Sequence, residues 1–242
     1  MATGFNLHRF ANPGRFLRLA GALLPWLTGG AAVLFAIGLY LALVGSPPDY
    51  QQGDTVRIMY IHVPSAWMAM MGYALLGASG ASALIWRHPL ADVAAEAIAP
   101  VGAGFTFVAL VTGSLWGKPT WGTYWVWDAR LTSFLVLFFL YAGHIALTHA
   151  FDDRQRGRRS AAIIAIVGLI NLPIIKYSVD WWNTLHQSES ILRMGGPTID
   201  PSMLWPLFVM GLAFLLYFFA VVMTRMKAML LEARHRGAAF AR

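Results

Sequence analysis

The 242-residue chain contains no cysteine. That excludes disulfides, thiolate metal sites, iron–sulfur clusters, a catalytic thiol and covalent haem attachment through CxxCH. Charge is also scarce: Asp, Glu, Lys and Arg make up 12% of the residues, against about 25% in an ordinary soluble domain. Acidic groups are the rarer sign, 11 against 18 basic, which leaves a net charge of +7. What fills the chain instead is apolar, with 58% hydrophobic residues and a mean hydropathy of +0.58. This composition excludes a disordered chain and a water-soluble globule, and describes an integral membrane protein.

A helix needs about 20 largely apolar residues to cross a bilayer. Six stretches qualify: 19–44, 61–86, 93–115, 131–150, 161–179 and 203–223. They predict an all-α, polytopic membrane protein of six transmembrane helices, with short interfacial helices in the outer loops and one domain spanning 1–242. The first stretch exceeds the apolar run of a cleavable signal peptide. Glu96 falls in the first turn of the third span, within reach of the headgroups. The basic residues set the orientation, because Lys and Arg collect in cytoplasmic loops. With both termini cytoplasmic, thirteen of the 18 basic residues lie inside, from Arg9 to Arg242, concentrated in Arg154–Arg159 and the C-terminal tail. Only Arg57, Lys118, Arg130, Lys176 and Arg193 lie outside. The positive charge is therefore topological and calls for no nucleic-acid partner.

This topology exposes 45–60, 116–130 and 180–202 on the outer side. Residues 116–128 read Trp-Gly-Lys-Pro-Thr-Trp-Gly-Thr-Tyr-Trp-Val-Trp-Asp. Trp121 and Trp125 are spaced i, i+4, and with Tyr124 and Asp128 they predict one face of a short helix opened by Pro119. An interfacial aromatic belt is the plainer reading of tryptophans at a membrane surface. A belt, however, is spread over all helix ends, and here Trp116, Trp121, Trp125 and Trp127 share one loop. Gly117 and Gly122 permit close backbone approach. No carboxylate pair, Ser/His arrangement or phosphate-cradling loop accompanies them, so hydrolysis and phosphoryl transfer lack their machinery. A flat aromatic ligand suits such a surface.

Two of the seven histidines share the outer side. His62 stands at the start of the second span, where a helix N-terminus favours the neutral, metal-ligating imidazole. His186 follows Trp181-Trp182, and its i, i+4 spacing from Trp182 predicts a short helix with imidazole beside indole. Each alone reads more readily as a polar interfacial residue than as a ligand; two beside an aromatic surface favour the ligand reading. A protein-held metal ion wants three or four ligands, so two histidines better fit a haem iron that needs only axial ligands. Arg57 and Arg130 are outer cations suited to haem propionates or to lipid phosphates. Asp128 is expected to cap a helix or fix the loop. His144, inside the fourth span, is expected to make an interhelical hydrogen bond. Asn171 and Pro173 are expected to mark a kink or helix contact, and Lys176 to snorkel outward. His8, His88, His149 and His235 read as solvated or headgroup contacts.

The segment Trp116-Gly117, Trp121-Gly122 and Trp125-Val126-Trp127-Asp128 resembles the tryptophan-rich WWD signature of the haem-handling proteins of cytochrome c biogenesis. The continuation Ala129-Arg130-Leu131-Thr132, the length, the six spans and a histidine on each side of the motif are similar to the small CcmC branch of that family. The resemblance covers essentially the whole chain. It implies a protein of the bacterial inner membrane that binds haem b as cargo on the periplasmic face, with His62 and His186 as axial ligands and Trp116, Trp121, Trp125 and Trp127 as the platform at the haem edge. It further implies partners: the ABC-type subunits CcmA and CcmB, the single-span subunit CcmD, and the haem chaperone CcmE that receives the haem. On this reading the protein holds and delivers haem and is no enzyme. Two rival readings are a cytochrome b-type electron-transfer subunit, which places its histidines within the spans, and a permease exporting haem, which needs a polar path through them. Only His144 and Asn171 interrupt the spans deeply.

Overall fold

The structure is a computed structural model, and it describes residues 12–186, 191 and 195–240. His8, Arg9, Arg193 and Arg242 lie outside the described residues. Seven α-helices build the described part: α1 Pro13–Tyr40, α2 Met59–Trp86, α3 Pro89–Trp121, α4 Ala129–His149, α5 Arg154–Val167, α6 Asn171–Trp181 and α7 Pro201–Phe240. A π-turn, Leu41–Gly45, continues α1, and a 3-10 turn, Asp54–Ile58, leads into α2. A second 3-10 turn, Gly168–Ile170, joins α5 to α6 within the fifth span. Six helical segments are thereby long and apolar enough to cross a membrane, which makes this a multi-pass membrane protein.

Helix starts follow their capping residues. Asn12 accepts from Arg15 N at 3.2 Å before Pro13 opens α1, Asp128 accepts from Leu131 N at 2.8 Å before α4, and Asp153 accepts from Gln155 N at 2.8 Å before α5. Each satisfies a donor that the first turn leaves without a helical partner. α2 stops at Arg87, which adopts the left-handed conformation at φ 50°. His88 then leads into Pro89 at the first position of α3.

α2 and α3 form the central antiparallel pair. α2 also packs on α5 and α7, α3 on α4 and α7, and α1 lies against α7. Two buried tyrosines tie the middle of the bundle. Tyr141 of α4 donates to Ala69 O of α2 at 2.8 Å, and Tyr73 of α2 donates to Ile164 O of α5 at 3.1 Å. Their rings meet edge to face at 5.0 Å. In hydrocarbon such hydroxyls have no water to bond, so each uses the spare lone pair of a helical carbonyl. Glycines make the room: a Cβ on Gly102 would lie 2.2 Å from the Tyr141 ring, and one on Gly168 would lie 2.0 Å from the Tyr73 hydroxyl.

Three expectations change. α3 begins at Pro89, so Glu96 lies beyond its first turn. The Glu96 side chain is nearly buried and is held by Arg158 at 2.5 Å and Arg154 at 3.8 Å, rather than reaching headgroups. Burial of a carboxylate demands such partners. His144 makes no interhelical hydrogen bond through Nδ1, which is buried without a partner. Gly80, Ala95, Ala161 and Ala162 line the space around it together with the polar Asp92, Glu96, Thr148 and Arg158, none of which Nδ1 engages. Among the described residues, helix stops at Trp121 and none forms over 122–128 or 182–186, where sequence spacing suggested it. Asn171, by contrast, makes the foreseen helix contact, donating to Ser133 O of α4 at 2.9 Å just after the 3-10 turn.

Replacing Gly102 or Gly168 by Ala should lower stability by about 1–3 kcal/mol each, because the added methyl overpacks against a tyrosine. Gly21→Ala, where nothing lies within 4 Å of the new Cβ, should be neutral or mildly stabilising. Thermal unfolding of the detergent-solubilised protein, followed by circular dichroism, separates the two outcomes.

Candidate functional site

The tryptophan segment is not one helix but a helix end, a turn and a loop. α3 runs on through Pro119 to Trp121 and stops at Gly122, whose φ of 78° is the left-handed conformation that favours glycine. Gly122 N closes the helix by donating to Lys118 O at 3.0 Å, and Lys118 Nζ reaches forward to Gly122 O at 3.0 Å. Residues 122–128 are then extended or bent until Asp128 caps α4. Trp125 and Asp128 therefore leave the helical face on which the i, i+4 spacing placed them. The cause is local: a glycine after Trp121 ends the helix before the next turn can form.

The last three to four turns of α3 organise the site. His62 of α2 lies against this stretch, with Nδ1 at 3.0 Å from Ala109 O and 3.1 Å from Thr112 Oγ1. A carbonyl only accepts, so Nδ1 carries the proton and Nε2 keeps its lone pair. Gly113 gives the ring its space, since a Cβ there would stand 2.9 Å from His62 Cε1. Trp116 meets the His62 ring edge to face at 5.7 Å. One turn on, the Trp121 ring folds over Gly117, where a Cβ would lie 3.1 Å from it. Trp121 meets the His186 ring at 4.7 Å, also edge to face. His186 and His62 lie within electrostatic reach of each other.

His186 follows α6 in extended chain, because Trp182 at φ −134°, ψ 156° ends that helix. The expected pairing with Trp182 through a helical turn is thus replaced by contact with Trp121. His186 Nδ1 faces Asp128 Oδ2 at 3.4 Å. The carboxylate accepts, so here too Nδ1 bears the proton and Nε2 is the open nitrogen. Burial pushes the His186 pKa below its ordinary 6.5; the Asp128 carboxylate works against that shift, and the Arg130 guanidinium adds to it.

Asp128 thus does what was expected of it twice over, capping α4 with Oδ1 while Oδ2 holds His186 Nδ1 and accepts from Leu185 N at 3.4 Å. Trp125 meets Trp127 edge to face at 5.5 Å. Trp127 is 76% exposed, and Trp125 keeps a buried Nε1 without an acceptor. Arg57 sits at the other end of the first outer segment. It bonds Leu43 O and Ser46 O at the π-turn and pairs with Asp54 at 3.1 Å. Arg130 donates to Ser178 Oγ at 3.2 Å and to Ile175 O and Lys176 O, joining the start of α4 to α6.

Sequence reasoning missed Gln52. Its Oε1 accepts from Trp116 Nε1 at 2.6 Å, and its own position is fixed by Asp49, which accepts from Gln51 N and Gln52 N at 2.9 and 2.8 Å. Ala109, Thr112 and Gly113 were missed as well. The signal was available only as helical spacing, since these positions precede Trp116 by one to two turns on α3.

Fold and site together define a polytopic helical membrane protein that presents two histidines, each with an open Nε2, beside tryptophans gathered at one end of the bundle. The profile of the CcmC family, described as heme exporter protein C, matches residues 6–241. Heme exporter protein C of Bradyrhizobium diazoefficiens is 56% identical over 227 residues, covering 94% of this chain and 86% of that protein. Its counterpart in Escherichia coli is 48% identical, covering 95% and 93%. A cytochrome c biosynthesis ccmC-like mitochondrial protein of Marchantia polymorpha is 46% identical, covering 78% and 79%. The chain belongs to the heme exporter protein C family, a family of cytochrome c biogenesis.

Asp128→Asn keeps a cap for α4 while removing the negative charge beside His186. The His186 pKa should then fall further below 6.5, because a raising influence is gone and burial remains. An NMR pH titration of the ring-labelled histidines measures the shift; no change would separate Asp128 from His186.

Proposed function

We propose that the protein holds haem at the periplasmic face of the bacterial inner membrane and delivers it to the chaperone CcmE during maturation of c-type cytochromes. His62 and His186 are its axial ligands. The observation that carries this reading is the matched state of the two imidazoles: each gives its Nδ1 proton to an acceptor on the protein, Ala109 O or Asp128 Oδ2, and each retains Nε2 for a metal. Among the described residues no group of three or more His, Asp or Glu could hold a metal ion. Two histidines suffice only where a macrocycle already fills the equatorial positions. The residues therefore fit haem iron better than a bare ion.

The tryptophans complete the fit. Trp116 and Trp121 abut the ligand rings, and Trp125 with Trp127 extends an apolar, partly exposed surface that suits a porphyrin held by burial and stacking. Gly117 admits the Trp121 ring, and Gly122 turns the chain beside it. Arg57 and Arg130 lie at the margins as propionate contacts, each anchored on the protein by its remaining donors. With both axial positions filled the haem is cargo: the site holds it and catalyses nothing. Delivery loosens one axial bond when CcmE docks, in an ABC-type complex with CcmA, CcmB and the small subunit CcmD. The name heme exporter protein C, carried by the relatives, supports such a complex.

Optical spectroscopy of the purified protein expressed with ample haem should show a low-spin, six-coordinate spectrum. His62→Ala and His186→Ala should each become high-spin or lose haem; unchanged spectra in both would remove these ligands and direct attention to His144. In haem transfer to purified CcmE, Trp121→Ala and Trp127→Ala should slow or abolish delivery, and full transfer by both would refute the platform.

The pH dependence has a definite sign. His186 protonates less readily in the fold than its ordinary 6.5, so it is unprotonated at neutral pH. As pH falls below 6.5 the unfolded chain takes up the proton first, which costs stability. Once the folded pKa is reached, the proton competes with iron for Nε2. Haem retention should be flat above neutral pH and decline in acid, as followed by the absorbance of retained haem.

A further inference from the structure

At the end of the bundle opposite the histidines, the ends of α2, α3 and α5 enclose a cleft of about 640 Å³. Its walls include Arg87, Arg158 and Arg159, with Gln155 and a single acid, Asp92. Arg158 is committed to Glu96. The guanidinium groups of Arg87 and Arg159 have no hydrogen-bond or ion-pair partner among the described residues. Arg87 is also the only described non-glycine residue with a positive φ, 50°. A helix is ended more cheaply in that conformation by glycine or asparagine, and strained residues gather at ligand-holding positions. The same turn of α2 exposes Ile85 by 67% and Trp86 by 55%, so an apolar surface adjoins the cationic one.

We propose that this cleft is a binding site for the phosphate headgroup of an anionic phospholipid. Guanidinium groups suit phosphate oxygens geometrically, and basic pockets between transmembrane helices recognise anionic headgroups. The apolar rim distinguishes a lipid from free phosphate, because Ile85 and Trp86 give acyl chains a surface that an inorganic ion has no use for. Positive residues that merely set topology need only face the correct side. Here three of them, one from the end of α2 and two from the start of α5, line one cavity, while Arg156 in the first turn of α5 lies over the Phe151 ring at 5.3 Å.

The test uses the full-length protein reconstituted in phosphatidylcholine nanodiscs doped with phosphatidylglycerol, then released into mild detergent and weighed by native mass spectrometry. Wild type should retain phosphatidylglycerol in preference to phosphatidylcholine. Arg87→Gly, which suits the backbone it inherits, and Arg159→Gln should each lower that preference about fivefold, and together about twenty-five-fold. Arg156→Gln removes the same charge outside the cleft and should change nothing. Circular dichroism confirms that the variants fold. Equal retention by wild type and the double variant overturns the site, as does an equal effect of Arg156→Gln, which would mean net charge alone. Displacement of the lipid by millimolar inorganic phosphate assigns the cleft to the free ion and overturns the lipid. Loss of phosphatidylglycerol only when a partner subunit occupies the cleft would assign it to protein contact instead.

Discussion

The carboxylate of Asp128 joins fold to site. One oxygen closes the first turn of α4 and the other holds the His186 ring and the amide of Leu185. A single residue thereby fixes where the fourth span begins and where an imidazole from a segment more than fifty residues later comes to rest. The neighbouring Arg130 reinforces the arrangement by bonding the last part of α6, the helix from which His186 departs. Because α4 is a rigid element, the precision of its cap passes directly to the imidazole. His62 depends on a comparable arrangement with α3, whose backbone carbonyl at Ala109 orients the ring.

Both histidines therefore take their orientation from helices rather than from the loops between them. α3 matters most, since it carries the acceptor for His62, the two glycines that admit rings, and the first two tryptophans. Its extension past the apolar stretch, by nearly two turns, places Trp121 against His186. The chain then turns at Gly122 and leaves Trp125 and Trp127 to form the outlying part of the surface. Side chains assembled on helix ends are fixed by the packing of those helices, so little conformational entropy remains for them to lose.

Much of this was legible in the sequence because bilayer physics is strict. Six apolar runs of the required length could only become helices, and Asp128 was recognisable as a capping residue type before a helical run. The candidate site was legible as a set of residues: His62, His186 and the four tryptophans do converge on one end of the bundle. Its geometry was not. Spacing rules assume that a helix continues, and Gly122 and Trp182 each end one where the i, i+4 count needed another turn. Glu96 was misplaced because the helix start was read from hydropathy, although Pro89 marks it. Gln52 left no signal, since a polar residue in a polar loop becomes a partner for Trp116 only when the loop folds over α3.

The contact of α1 with α7 bears on how the chain is built. α1 finds its packing partner in α7, across the whole described sequence. Through the synthesis of five intervening helices α1 faces lipid, and its glycines at 21 and 29, with nothing within 4 Å of a would-be Cβ, leave it smooth and uncommitted. Docking of α1 consequently waits until α7 has been made. A nascent chain arrested before α7 would have its tyrosine-bonded centre in place and its opening helix adrift, a state that quality-control proteases in the membrane could recognise by that unpaired helix alone.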